Sequence, residues 1–198
     1  MFPGATIFVL GAGPSLRHVD LSVLTGRPVV AVNYADLYPA ADALVFVDGV
    51  EGREVWPGFL PSGLNVTTAP GHGIRARQMA NTGARGLETW PQGLRIGAGS
   101  LQAAANLGWH FSGPGGRVAL VGADLDYEPA PDGGAPITHY DGRRLEQRDD
   151  RPAYRNRFAP HLGWLAEAME LAGGTLLNAT EGGQLDTVRR VRLGDLLA

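Results

Sequence analysis

Short glycine turns and residues with amide, carboxyl, hydroxyl or imidazole groups recur where apolar runs of this sequence end. Gly11-Ala12-Gly13-Pro14-Ser15-Leu16 follows the first run. Proline suits the first position of a helix, where its missing N–H would be unpaired anyway. The turn is therefore expected to offer the N–H groups of Gly13, Ser15 and Leu16, with the Ser15 hydroxyl, at a helix N-terminus. Such an arrangement holds a phosphate; the alternative is a plain strand-to-helix turn. The third glycine of a dinucleotide fingerprint is missing, and Asn33 rather than an acid closes the next run, which argues against NAD.

Further groups follow the same pattern. Asn33 can read a base or ribose edge, and Asp48, after the third run, can take a ribose hydroxyl or a cation. Both also suit turns that satisfy their own backbone. Arg95-Ile96-Gly97-Ala98-Gly99-Ser100 is a second glycine turn entering a helix, with Ser100 expected to cap it. Asp124-Leu125-Asp126-Tyr127 offers two carboxylates that can share Mg²⁺ with ligand phosphates. Tyr127 can donate a hydrogen bond to a departing phosphate. Thr138-His139-Tyr140 carries the histidine best placed to deprotonate an acceptor hydroxyl. Asn178, Thr180 and Glu181, with a glycine pair after them, suit a base or sugar.

Composition narrows the chemistry. The chain has 198 residues, a net charge of −3 and no cysteine, which excludes thiolate nucleophiles and Cys-ligated zinc. There is no lysine, so all 17 basic residues counted as Lys+Arg are arginine. Schiff-base and P-loop lysine chemistry are thereby excluded, and any phosphate clamp uses arginine. The acidic balance argues against nucleic acid as a partner without excluding it. The exception is local: Arg143, Arg144, Arg148, Arg151, Arg155 and Arg157 crowd together, interrupted by acids. This reads as a solvated loop or an anionic-ligand contact. Neither a membrane-span pattern nor a signal-peptide pattern is present, and a cytoplasmic protein, with homo-oligomers left open, is expected.

The elements that must position these groups are legible as alternating runs. Apolar, β-rich runs at Thr6–Leu10, Pro28–Val32, Ala43–Val47, Leu64–Thr68, Arg117–Val121 and Thr175–Leu177 predict strands. Helices are expected at Ser100–His110 and Phe158–Ala172, the second stopped by Gly173-Gly174. The tail from Val188 to Leu197 reads as a short strand and a closing helix. Residues 128–157 are rich in proline, glycine and charge and read as a long loop or lid. The expected fold is α/β: a single Rossmann-like nucleotide-binding domain over 1–198, mostly parallel sheet flanked by helices. Ligands of such sheets bind beyond the carboxyl ends of the strands, so the polar groups above should converge there.

In order, the strand followed by GxGPSL, the Asn and Asp after later strands, the glycine turn before an Ala-rich helix, VGxD and NxTEGG give a resemblance over nearly the whole chain. It resembles the family joining Maf-type flagellin glycosyltransferases, archaeal 6-hydroxymethylpterin pyrophosphokinases and related phage proteins. It is more distantly similar to the family-42 bacterial sialyltransferases. The resemblance implies nucleotide-phosphate contacts at Gly11, Gly13, Pro14 and Ser15 and a nucleotide contact at Asn33. Thr138-His139 matches a Thr-His pair of the phage relatives. Ala98 stands where sialyltransferases have a serine, and Tyr154-Arg155-Asn156-Arg157 stands where their catalytic histidine lies.

The expected function is a nucleotide-dependent transferase using a nucleotide-sugar donor, with His139 as base, Tyr127 on the leaving phosphate and Asp124 assisting. Gly97, Gly99, Ser100, Asp48, Asn178, Thr180 and Glu181 would complete the nucleotide site. The alternatives are a pyrophosphokinase holding Mg²⁺ through Asp124 and Asp126, and a non-catalytic nucleotide-binding protein of a phage or mobile element.

Overall fold

The computed structural model describes residues 1–34, 36–46, 64–68, 76–78, 99–113, 115–142, 144 and 151–198. Seven strands form one sheet: β1 (Thr6–Leu10), β2 (Val29–Val32), β3 (Ala43–Phe46), β4 (Leu64–Thr68), β5 (Ala76–Gln78), β6 (Arg117–Val121) and β7 (Thr175–Asn178). Their order is β5-β4-β3-β2-β1-β6-β7. Every pairing is parallel except β4 with β5. The central strands β1 and β2 are buried along their whole length, as parallel strands covered on both faces must be.

The sheet is Rossmann-like α/β. From β1 the chain steps outward through β2, β3 and β4, then crosses back to place β6 on the other side of β1. The strand order therefore reverses between β1 and β6, where ligands of open α/β sheets bind. Phe8 of β1 lies opposite Val29 of β2 and Ala119 of β6, so the ends of these three strands emerge together.

The two faces are covered differently. Helices α1 (Ser100–Ser112) and α3 (Ala159–Leu171) bury Ala104, Leu107, Leu162 and Met169 against Ile7, Val9, Val118 and Leu120. At Gly108 α1 lies close on the sheet: a Cβ there would sit in van der Waals contact with Ile7 and Val118 at 3.4 Å. The opposite face, with Phe8, Leu10, Val29, Ala31, Leu44 and Val121, is covered by irregular pieces. These are 3₁₀ turns at Pro14–His18 and Leu21–Leu24, Tyr34, Tyr38 and Tyr140, and the tail leucines Leu193, Leu196 and Leu197.

Several sequence expectations change. The segment after the first glycine turn is a five-residue 3₁₀ helix, not an α-helix. The tail makes an isolated bridge from Arg190 to Asn178 and a 3₁₀ turn at Leu193–Leu196. Residues 151–157, expected in the loop, and Phe158, expected to open the helix, form a helical turn, α2 (Arg151–Ala153), and a π-type segment (Tyr154–Phe158) that run into α3. Helix-compatible residues follow Pro152 without a glycine, so the helix starts early; the π-type segment falls just before Pro160, which has no N–H to give to the carbonyl of Asn156. Residues 128–142 carry only isolated bridges, such as Glu128 with Ile137.

Candidate functional site

The turns after β1, β6 and β7 do meet, but they bond to one another. Gly11 N–H donates to Val121 O (2.8 Å) and Gly13 N–H to Gly122 O (3.0 Å). Ser15 N–H donates to Asp124 Oδ1 (3.2 Å), and Ser15 Oγ donates to Asp124 Oδ2 (2.8 Å). Leu16 N–H donates to Gly13 O (3.2 Å). The donors expected to await a phosphate therefore have partners within the chain. Glycine is required here by proximity: a Cβ on Gly11 would fall on Gly122 O, and one on Gly13 on Asp124 Oδ2. Pro14 holds the first helical position as expected.

Asp124 is 5 % exposed. Burial raises its pKa above the ordinary carboxylate value, outweighing the hydrogen bonds from Ser15 that favour the charged form, and nearby Glu128 adds to the rise. Its carboxylate occupies the place expected for a ligand's anion. Asp126 Oδ1 instead accepts from Tyr127 N–H (2.9 Å). The two acids thus face different partners, and among the described residues no group of three or more His, Cys, Asp or Glu could hold a metal ion. The pair does not fit Mg²⁺ as arranged.

On the β7 side, Asn178 is fully buried; its Nδ2 donates to Leu185 O (2.8 Å) and its Oδ1 accepts from Thr180 N–H (3.0 Å). Thr180 Oγ1 accepts from Ala123 N–H (2.9 Å), and Gln184 N–H donates to Asp124 O (2.7 Å). Arg190 reaches the carbonyls of Thr180 and Gly182. Asn178 and Thr180, expected to face a base or sugar, are tied up in this loop, while Glu181 is exposed. Buried polar groups need partners, and here the protein supplies them.

Ser100 is the first residue of α1, not its cap: Gly99 holds the N-cap position and has no side chain to offer. The Phe158 ring lies against Gly99, so that a Cβ there would meet it at 2.6 Å. Tyr127, expected to reach a departing phosphate, is buried, its ring edge-on to Tyr154 (5.9 Å) and under the Arg151 guanidinium (5.4 Å). Asp48 and Gly97 lie outside the described residues, as do Ala98, Arg143 and Arg148.

A second cluster gathers at the ends of β1 and β2. Tyr140 N–H donates to Ala12 O (3.1 Å), which lays the Thr138–Tyr140 segment over the first turn. The Tyr34 ring meets His139 edge-on at 5.9 Å and Tyr140 at 5.7 Å. Thr138 Oγ1 lies 2.8 Å from His139 Nδ1. Tyr140 donates to Asp36 Oδ1 (3.1 Å), and burial with that neighbouring acid pushes the phenol's pKa well up. Beside Tyr34, Asn33 adopts φ 68°, a left-handed conformation uncommon outside glycine. Its Oδ1 is buried without a hydrogen-bond partner among the described residues. Asn33 and His139 were readable as candidates from their types, whereas Tyr34 and Ala12 O were not. Only the position of Tyr34 directly after Asn33 could have flagged it.

No helix among the described residues is long and apolar enough to cross a membrane. No protein-family model matches the chain, and neither a curated protein nor a solved structure matches it.

Proposed function

We propose that the chain is a nucleotide-dependent transferase of glycosyltransferase type, taking its nucleotide-sugar at the ends of β1 and β2 beneath Thr138–Tyr140. The observation that carries this reading is Asn33. A buried acceptor without a partner costs about 1–3 kcal/mol, and a left-handed non-glycine residue adds to that cost. Such a combination is retained where a ligand supplies the missing donor, and an amino or imino group of a base, or a ribose hydroxyl, is a donor of this kind. Tyr34 and Tyr140 offer ring surfaces beside it. In the tautomer that puts Nδ1–H toward Thr138 Oγ1, Nε2 is the basic nitrogen of His139. It takes the proton of the acceptor hydroxyl as that oxygen bonds to the anomeric carbon, and the nucleotide leaves with the electron pair of the broken C–O bond. The resemblance to the Maf-type and sialyltransferase families supports the same reaction class. A ligand phosphate would reach Ser15 only by displacing the Asp124 carboxylate, because the two need the same donors.

Calorimetric titration with CMP, UDP, GDP and ATP tests the binding half. One of them is expected to bind, and Asn33→Gly, which suits the left-handed backbone and removes only the side chain, to weaken it at least tenfold without loss of thermal stability. Equal affinity in that variant would remove Asn33 from the site. His139→Ala should keep the nucleotide affinity and abolish transfer or donor hydrolysis. Tight binding with no turnover of any donor by the unaltered chain would point instead to a non-catalytic nucleotide-binding protein.

A further inference from the structure

We infer that the outer face of α3 is the contact surface of a homodimer, with two copies packing this helix antiparallel about a two-fold axis. The inner face of α3 buries Ala159, Leu162, Leu165 and Met169. Its outer face is apolar too. Trp164 is 60 % exposed and Leu171 91 % exposed, and they account for half of the exposed large hydrophobics among the described residues, the others being Met1 and Val23. Exposed Ala168 lies between them, and the i, i+4, i+7 spacing puts all three on one stripe. The His161 ring packs at 4.7 Å on Trp164 and extends the stripe by a turn. A helix apolar on both sides is normally covered on both sides.

Charge selects the occupant. Arg155 and Arg157 are exposed just before α3, and Glu167 and Glu170 are exposed in its second half. None of these four forms an ion pair among the described residues. A second copy laid antiparallel brings the arginine-bearing end of one helix to the glutamate-bearing end of the other, whereas a parallel copy sets like-charged ends together. Self-complementarity of this kind is what a two-fold contact requires. The helix also lies beside β7, the last strand of the sheet, whose outer side is met by the tail at Asn178. A cavity of about 160 Å³ opens there between Gly163, Ala166 and Glu170 of α3, Leu176 of β7, and Thr187 and Arg189. It provides a hole beside Trp164 for the other copy's indole. A 13-residue helix is about 20 Å long, which is short against standard interfaces of about 1,600 Å². The dimer is therefore of the transient kind. This surface is separate from the site proposed above, so either can fail without the other.

Sedimentation equilibrium of the full chain, from low micromolar to near millimolar concentration, tests it. The mass is expected to rise from one chain to two and stop there, and the fluorescence of the four tryptophans to shift to shorter wavelength over the same range, a shift that Trp164→Phe should diminish. Trp164→Glu with Leu171→Glu should remain monomeric throughout, with unaltered circular dichroism. Arg155→Glu with Arg157→Glu, and Glu167→Arg with Glu170→Arg, should each prevent association alone and restore a dimer when mixed in equal amounts. A monomer at every concentration, growth beyond two chains, or a dimer that survives Trp164→Glu with Leu171→Glu would overturn the inference. A mixture that stays monomeric would overturn the antiparallel arrangement.

Discussion

At the scale of single residues, Asp124 is the group on which the carboxyl end of the sheet turns. One buried carboxylate accepts from the Ser15 amide and hydroxyl, while its own carbonyl accepts from Gln184 N–H. Burial raises its pKa from the ordinary value of 3.8. The folded chain therefore holds this proton more tightly than the unfolded chain. Asp124 contributes its full stability below the ordinary carboxylate range and loses it as pH rises through the raised folded value. Urea unfolding measured as a function of pH should show that decline, and Asp124→Asn, neutral throughout, should lack it; a constant difference between the two curves would show that Asp124 titrates normally. The neighbouring glycine gives a second test. Gly13→Ala forces a methyl group onto Asp124 Oδ2 and Gly122 O. Overpacking of this kind costs about 1–3 kcal/mol, so an unchanged urea midpoint would mean that the two turns are not closely packed in solution.

At the scale of elements, the loop after β7 is a structural clasp, and its variants should behave unlike those at Asn33. Thr180→Val leaves the buried Ala123 N–H without its acceptor, which costs about 1–3 kcal/mol. Nucleotide affinity of the folded fraction should stay within about twofold of the unaltered chain, against the tenfold loss expected for Asn33→Gly. A large affinity loss in Thr180→Val with little change in stability would return Thr180 to the ligand site. The same elements show what was legible in the sequence. β1, β4 and β6 begin and end where the sequence pattern placed them; for β1 the reason is visible, since a strand buried along its whole length needs an unbroken run of β-favouring, mostly apolar residues. β5 was missed: Ala76–Gln78 is three residues with two polar side chains, paired antiparallel at the edge. Such a strand needs neither apolar continuity nor alternation. The 3₁₀ form of Pro14–His18 was hidden because Pro14 marks a helix start without saying which kind. Asn33 could be read as a polar residue at a strand end, but its orphaned acceptor could not, since partners are set by packing. The Asp124–Ser15 clasp joins residues 109 apart in sequence, a distance across which no local pattern carries information.

At the scale of the whole molecule, the two faces of the sheet place opposite demands on what covers them. One face is closed by two thirteen-residue helices, α1 and α3. The other has no long helix among the described residues; it depends on 3₁₀ turns and on the tail, where Leu193, Leu196 and Leu197 pack against the cluster around Phe8, Leu24 and Val29. Arg27 donates to the Leu197 carbonyl and fastens the end of the tail beside Leu24. Fully burying a leucine contributes about 1.5–3 kcal/mol, so three partly buried leucines contribute on the order of 3 kcal/mol. A chain ending at Arg192 keeps the Val191 bond to Asn178 but uncovers this face. At about 2–4 °C per kcal/mol for a domain of this size, its Tm should fall by roughly 6–12 °C, with new binding of a hydrophobic dye. The outer face of α3 sets the contrast: Trp164→Glu with Leu171→Glu touches side chains already exposed in one chain and should leave the dilute monomer's Tm unchanged. If both changes lowered Tm equally, the tail would be no more part of the core than the outer side of α3. If shortening the tail did nothing, the second face would be held by the 3₁₀ turns alone.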